Sequence, residues 1–186
     1  MSVSRSLLAA ALAALLAACS PPKPASGPTR PLSEWTGEEA QLLDDGIDIG
    51  AIPLGDASPG RDETSEGLIP RRMDSSDAVV LGKVIAVSSE PNGENKKRFR
   101  LEIASIELLS GKPLEGNVVL KVEPNAPSYG TIRAVDTHLI GRKLVVFVRQ
   151  YAADDGGEPV THYHLSPATK PVLDGISVHS TKKQFQ

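Results

Sequence analysis

Apolar residues in this chain fall into a leading block, a long polar interval and then a series of short β-branched runs. Leu7 to Leu16 is an unbroken Leu/Ala run, and the proline-rich stretch Ser20 to Pro31 that follows it has no apolar period. Thr36-Gly37-Glu38-Glu39 fits a capping box ahead of Ala40, Leu42 and Leu43, which predicts about two turns of helix ended near Gly46. Three prolines and four glycines between residues 50 and 70 predict an irregular connection. Ala78 to Ser88 is a strand pattern with Gly82 in its middle, where a bulge or bend is expected. Asn92-Gly93 is a hairpin signal. In Arg98 to Leu109, Phe99, Leu101 and Ile103 alternate with Arg98, Arg100 and Glu102. The apolar parity then shifts to Ile106 and Leu108, and one extra residue near Ala104 or Ser105 accounts for the shift.

A Gly111-Lys112-Pro113 turn leads to the strand Val118 to Val122. Ile132, Val135, Leu139 and Ile140 sit at helical spacing, predicting a short helix or turn within 124–141. Leu144 to Val148 is the most apolar strand, Asp154-Asp155-Gly156-Gly157 is a turn, and Val160 to Leu165 returns. Val172 to Val178 reads as a last extended piece split by Asp174-Gly175. The pattern therefore predicts a mainly β chain of five to six strands with one or two short helices. Its order points to a small OB-like Greek-key barrel, with a small open β-sandwich as the alternative.

The first nineteen residues carry the most specific signal. Arg5, the Leu/Ala run and small residues before Cys19 have the layout of a secretory signal, and the run is too short for a permanent membrane span. Leu16-Ala17-Ala18-Cys19 resembles the lipobox of bacterial lipoproteins. That resemblance implies a diacylglycerol thioether on Cys19, cleavage after Ala18 and acylation of the new amino group. The organisation expected is a signal peptide over 1–18, a lipid anchor and proline-rich tether over 19–36, and a short helix with irregular connection over 37–70. A β-barrel-like domain over 71–180 and a tail over 181–186 complete it, and a body beginning near Pro70 is expected to fold alone. In a Gram-negative host, Ser20 lacks the aspartate that favours inner-membrane retention, which directs the anchor to the outer membrane facing the periplasm.

The stretches SDAVVLGKVIAV, IELLSGKPLEGNVVLKV and GRKLVVFVRQY resemble secreted bacterial barrels related to netrin and metalloprotease-inhibitor domains. Inhibitors of that kind use a free N-terminal cysteine and disulfides, whereas Cys19 is the only cysteine here and carries the lipid. An inhibitor role is not carried over. The single cysteine also excludes disulfides and a Cys-rich zinc site, so stability must come from an apolar core. Losing Arg5 with the signal changes 20 basic against 23 acidic residues to 19 against 23, a formal charge of −4. That mild acidity, with 4% aromatics, argues against a nucleic-acid surface.

Candidate chemistry is sparse. His162 and His164 lie two apart on a strand, so both imidazoles can approach one metal ion, with His138, Asp136, Asp174 or His179 as third ligand by type. Alternatively, Thr161, Tyr163 and Leu165 fill the core face and leave the histidines solvated. Asp44, Asp45 and Asp48 do not match a calcium loop and read as an acidic helix end. Lys96, Lys97, Arg98 and Arg100 form a possible surface for an anion or acidic partner, or an ordinary solvated strand face. Trp35 docks on the barrel or a partner, or staples the short helix. No G-x-S-x-G, H-E-x-x-H, P-loop or free cysteine occurs in the mature chain, so no catalytic residue and no cofactor is predicted. The expectation is a lipid-anchored, non-catalytic module that binds a small ligand or an envelope protein. A metal-dependent enzyme using His162 and His164, or a passive envelope component, are the alternatives.

Overall fold

The structure, a computed structural model, describes residues 32–48, 63–92, 96–153 and 156–185. The signal, Cys19, the tether as far as Pro31, and the turn residues Gly93, Asp154 and Asp155 lie outside them. In chain order the elements are α1 (Gly37–Leu42), β1 (Gly46–Ile47), α2 (Glu63–Ser75), β2 (Ala78–Asn92) and β3 (Lys96–Gly111). They continue with β4 (Val118–Val122), α3 (Tyr129–Leu139), β5 (Lys143–Tyr151), β6 (Val160–Pro167) and α4 (Lys170–Gln184).

The six strands form one mixed sheet in the order β1-β6-β5-β2-β3-β4. Only β1 runs parallel to its neighbour, β6; every other pair is antiparallel. The chain is mainly β, as its pattern predicts. Without β1, the order β4-β3-β2-β5-β6 is that of an OB-like Greek key, with α3 between the third and fourth strands of the body. The sheet is not closed, because β4 and β1 are its two edges.

Each face of the sheet buries its own core. Val84, Leu101, Ile103, Leu120, Val146 and Leu165 pack on one side against Ile132, Val135 and Leu139 of α3. Val79, Val145, Phe147 and Tyr151 pack on the other side against Leu43, Ile69, Met73, Val172 and Ile176. β5 contributes to both, and a strand covered on two faces has no solvated face to make polar. That is why Leu144 to Val148 is the most apolar run.

The predicted bulges occur. Leu81 pairs with Glu107 and Gly82 with Ser105, which leaves Ile106 as the extra residue of β3. A Cβ on Gly82 would overlap Ile103 Cγ2 and lie 3.3 Å from the Ala104 carbonyl oxygen. The glycine lets β3 approach β2 at the bulge. Thr36 has the extended backbone of an N-cap, but its side chain makes no capping bond, and Glu39 turns outward to Arg149.

Three segments differ from the sequence expectation. Part of the supposed irregular connection is α2, which begins at Glu63 and runs through Pro70. Ile69 and Met73, four residues apart, reach the second core, so packing outweighs the breakers Gly67 and Pro70. Val172 to Val178 is helical within α4, and that helix takes in most of the supposed tail over 181–186. Val172 and Ile176 seat it on the second core, and Gly175 lets Ile69 of α2 approach closely; an added Cβ would stand 3.3 Å from Ile69 Cδ1. Gly46 does not end α1, which stops at Leu42; it begins β1. The folded body therefore includes residues 32–48 and α2, and does not start near Pro70.

Candidate functional site

Two places gather the chemistry-bearing residues: a clasp of histidines and aspartates, and an open cleft. Register decides the clasp. Tyr163 and Leu165 face the first core, so His162 and His164 face the second, opposite Arg149 and Phe147 of β5. The segment 32–48 lies over them, because β1 pairs Gly46 with His164 and Ile47 with Leu165. His164 Nδ1 is 2.8 Å from Asp44 Oδ1, and its Nε2 is 3.1 Å from Asp48 Oδ1. His162 Nδ1 is 2.8 Å from Asp45 Oδ2, and Asp45 Oδ1 accepts the Tyr163 amide at 3.0 Å. Trp35 stacks flat on His162, with centroids 3.6 Å apart, and donates its indole N–H to the Leu43 carbonyl. The histidines are thus covered rather than solvated, and Trp35 docks on the body.

The charge balance of the clasp explains its burial. His164 and Arg72 are 3% and 4% exposed. Arg72 donates to the Leu42 carbonyl and has Nη1 3.9 Å from Asp48 Oδ2, while Ser166 donates to the same carboxylate at 2.6 Å. Two cations therefore face two carboxylates, Asp44 and Asp48, which is the condition under which buried charge is tolerated. Burial works against a charged His164, but its hydrogen bonds to Asp44 and Asp48 outweigh that and hold its pKa above the usual histidine value. Burial likewise raises the Asp44 pKa, yet its hydrogen bond to His164 and the neighbouring charge leave it below the usual carboxylate value. An imidazolium held between two carboxylates fastens the segment to the sheet.

The four residues proposed as third metal ligands lie elsewhere. His179 pairs with Asp74 at 3.0 Å, Asp174 pairs with Lys170, and His138 and Asp136 belong to α3. Among the described residues no group of three His, Cys, Asp or Glu side chains is arranged to hold a metal ion. The partners of His162 and His164 are instead Asp44, Asp45 and Asp48, more than a hundred residues away. No spacing in the sequence links the three aspartates at 44, 45 and 48 to the two histidines.

The cleft lies between α3 and the far half of the β2–β3 hairpin. Its volume is about 650 Å³, and Ser88, Lys97, Phe99, Tyr129, Arg133 and Asp136 line it together with Val87 and Ser89. Lys97 shares the parity of Phe99 and Leu101, whereas Arg98 and Arg100 project from the other face. The basic run is therefore divided. Arg98 is bound by Glu90 at 3.2 Å and Glu123 at 3.6 Å, and Arg100 lies 3.9 Å from Glu90. Lys96 opens β3 at its pairing with Asn92. Arg133, which no sequence motif singled out, joins Lys97 only because α3 folds back on the hairpin. Tyr129 Oη donates to the Lys97 carbonyl at 2.9 Å, and its ring tilts against Phe99 at 5.3 Å. Searches against protein-family models, curated proteins and solved structures found no match to this chain, so its site is defined by this geometry alone.

Proposed function

We propose that the protein is a lipid-anchored envelope module that binds a ligand or partner without transforming it. The lipobox-like Leu16-Ala17-Ala18-Cys19 supports the anchor. Among the described residues, no helix is long and apolar enough to cross a membrane. The observation that carries the binding role is the open cleft of about 650 Å³, a size usual for small-molecule sites, with cationic, aromatic and hydroxyl groups converging on it. The clasp, three of whose four ring nitrogens already face carboxylates, serves the fold and not the ligand. In this reading the cleft recruits, the tether extends, and the lipid keeps the complex at the membrane.

Site-specific photo-crosslinking in intact envelopes tests the reading. Cys19 is the only natural cysteine, so Ser88→Cys introduces one unmodified thiol at the cleft, and Glu107→Cys introduces one on the exposed outer side of β3. A defined species captured from position 88, absent from position 107 and lost when Arg133 is changed to Glu, is the expected result. No capture at position 88 in the intact envelope ends the reading.

A further inference from the structure

We propose that the cleft between α3 and the β2–β3 hairpin takes a small ligand with one anionic group on a flat apolar body, the anion held by Lys97 and Arg133 and the body lying against Phe99 and Tyr129. This deepens the binding reading and rests on it.

Unsatisfied charge is the first reason. Arg71, Arg98, Arg100 and Arg149 each have a carboxylate within 4 Å, as do Lys170 and Lys183. Among the described residues, the side chains of Lys97 and Arg133 have none; Lys83, Lys112, Lys121, Arg142, Lys143 and Lys182 also lack one, but Lys97 and Arg133 are exposed on one cleft. An ammonium on the hairpin wall and a guanidinium on the α3 wall make a site for an oxyanion between them, because charge-assisted hydrogen bonds are the stronger kind. Asp136, on the α3 wall with Arg133, limits the charge of the ligand. Its Oδ1 accepts the Thr137 amide at 2.6 Å, so the carboxylate is held in place. Two cations against one anion leave a single net positive charge, which suits one anionic group and repels a polyanion.

Preorganisation is the second reason. The chain has few aromatic residues, and two of them meet at this cleft. The Tyr129 hydroxyl is tied to the Lys97 carbonyl, which sets the ring beside that lysine and joins the first residue of α3 to β3. Phe99 is 7% exposed and packed in the first core, so its position is set by the sheet. A fixed ring edge beside two cations favours a planar apolar group over a flexible polar one.

Titration calorimetry on the full-length lipidated protein in detergent tests this with naphthalene-2-sulfonate, neutral 2-naphthalenemethanol and inorganic phosphate. Soluble dihexanoyl phosphatidylglycerol and its phosphatidylcholine counterpart complete the set. The sulfonate should bind about tenfold or more tighter than the neutral naphthalene or phosphate alone. Arg133→Gln and Lys97→Gln should each weaken it by about tenfold while leaving the thermal midpoint unchanged. If phosphatidylglycerol binds more tightly than the sulfonate and phosphatidylcholine does not bind, the anion comes from a lipid headgroup. The reverse order assigns it to a soluble acid; the first result keeps the anion assignment but overturns the flat apolar body. Equal binding of charged and neutral naphthalenes, or binding unchanged in both variants, overturns the anion assignment and leaves the binding module standing. Absence of binding by every probe, together with no crosslink from position 88, overturns both.

Discussion

At Gly82 one missing side chain sets the spacing of two strands. Its neighbour Ile103 is fully buried, so Ile103 Cγ2 has nowhere to retreat from an added Cβ. Gly82→Val is expected to cost about 1–3 kcal/mol, the range for overpacking, despite valine's better strand propensity. Lys83→Val, at the adjoining exposed position, should change urea stability by less than about 0.5 kcal/mol. His164 is the other decisive residue. Its removal leaves Asp44 and Asp48 facing a single remaining cation, Arg72, and His164→Ala should lose about 2–3 kcal/mol, discounted because Asp44 is partly exposed. The folded pKa of His164 lies above its unfolded value of 6.5, so this stabilisation is full below about pH 6.5 and is lost as pH rises through the folded value. Asp44 has a folded pKa below 3.8, so its share is full above about pH 3.8 and is lost as pH falls through that lower value. Both shifts report one ion pair and do not add. Urea midpoints measured across pH should show a plateau falling at each end, and His164→Gln should remove the decline on the alkaline side.

Among the elements, the segment 32–48 has the most to hold it and the least regular structure. A six-residue helix and a two-residue strand are too short to persist alone. They persist because Leu43 enters the second core, Trp35 covers His162, and Arg149 grips Glu39 at 2.8 Å and Ser33 at 2.9 Å. A chain beginning at Pro70 loses all of these contacts and Ile69 as well. Its Phe147, Tyr151 and His164 would be exposed, and it is expected to lack cooperative thermal unfolding, whereas a chain beginning at Leu32 should keep it. Equal cooperativity in the two chains would show that the second core closes without the segment. The same elements explain the limits of pattern reading. The strands of the sheet announce themselves by alternation, and α3 by helical spacing. By contrast, among the described side chains α2 and α4 bury only two or three each, among glycines and a proline, and their apolar stripe is visible only once the sheet supplies a surface for it.

For the whole molecule, the clasp joins the segment 32–48 to the sheet, and the cleft lies against α3 on the opposite face of that sheet. The two are linked at Ser128, whose amide donates to the Asp45 carbonyl at 3.3 Å beside the cleft residue Tyr129. The proposed anchor is a separate matter, resting on the N-terminal sequence alone. Cys19→Ser should abolish fatty-acid labelling and either release the protein from membranes or block its maturation. Undiminished label on the variant would remove the anchor from this account, because no other cysteine exists to carry a thioether.

What the sequence determined by itself is local: strand alternation, the bulges at Gly82 and beyond Ser105, and the helix after β4. Each depends on neighbours within a few residues, so periodicity and turn chemistry are enough to read it. Tertiary structure alone decided which aspartates meet which histidines, that Arg98 and Arg100 turn away from Lys97, and that Arg133 comes to line the same cleft as Lys97. Those are matters of register and of contacts between residues far apart in sequence, where the partner is chosen by packing and charge balance and leaves no period behind. The open edge at β4 has the same origin, since closure depends on how strongly the whole sheet curls and not on any one strand.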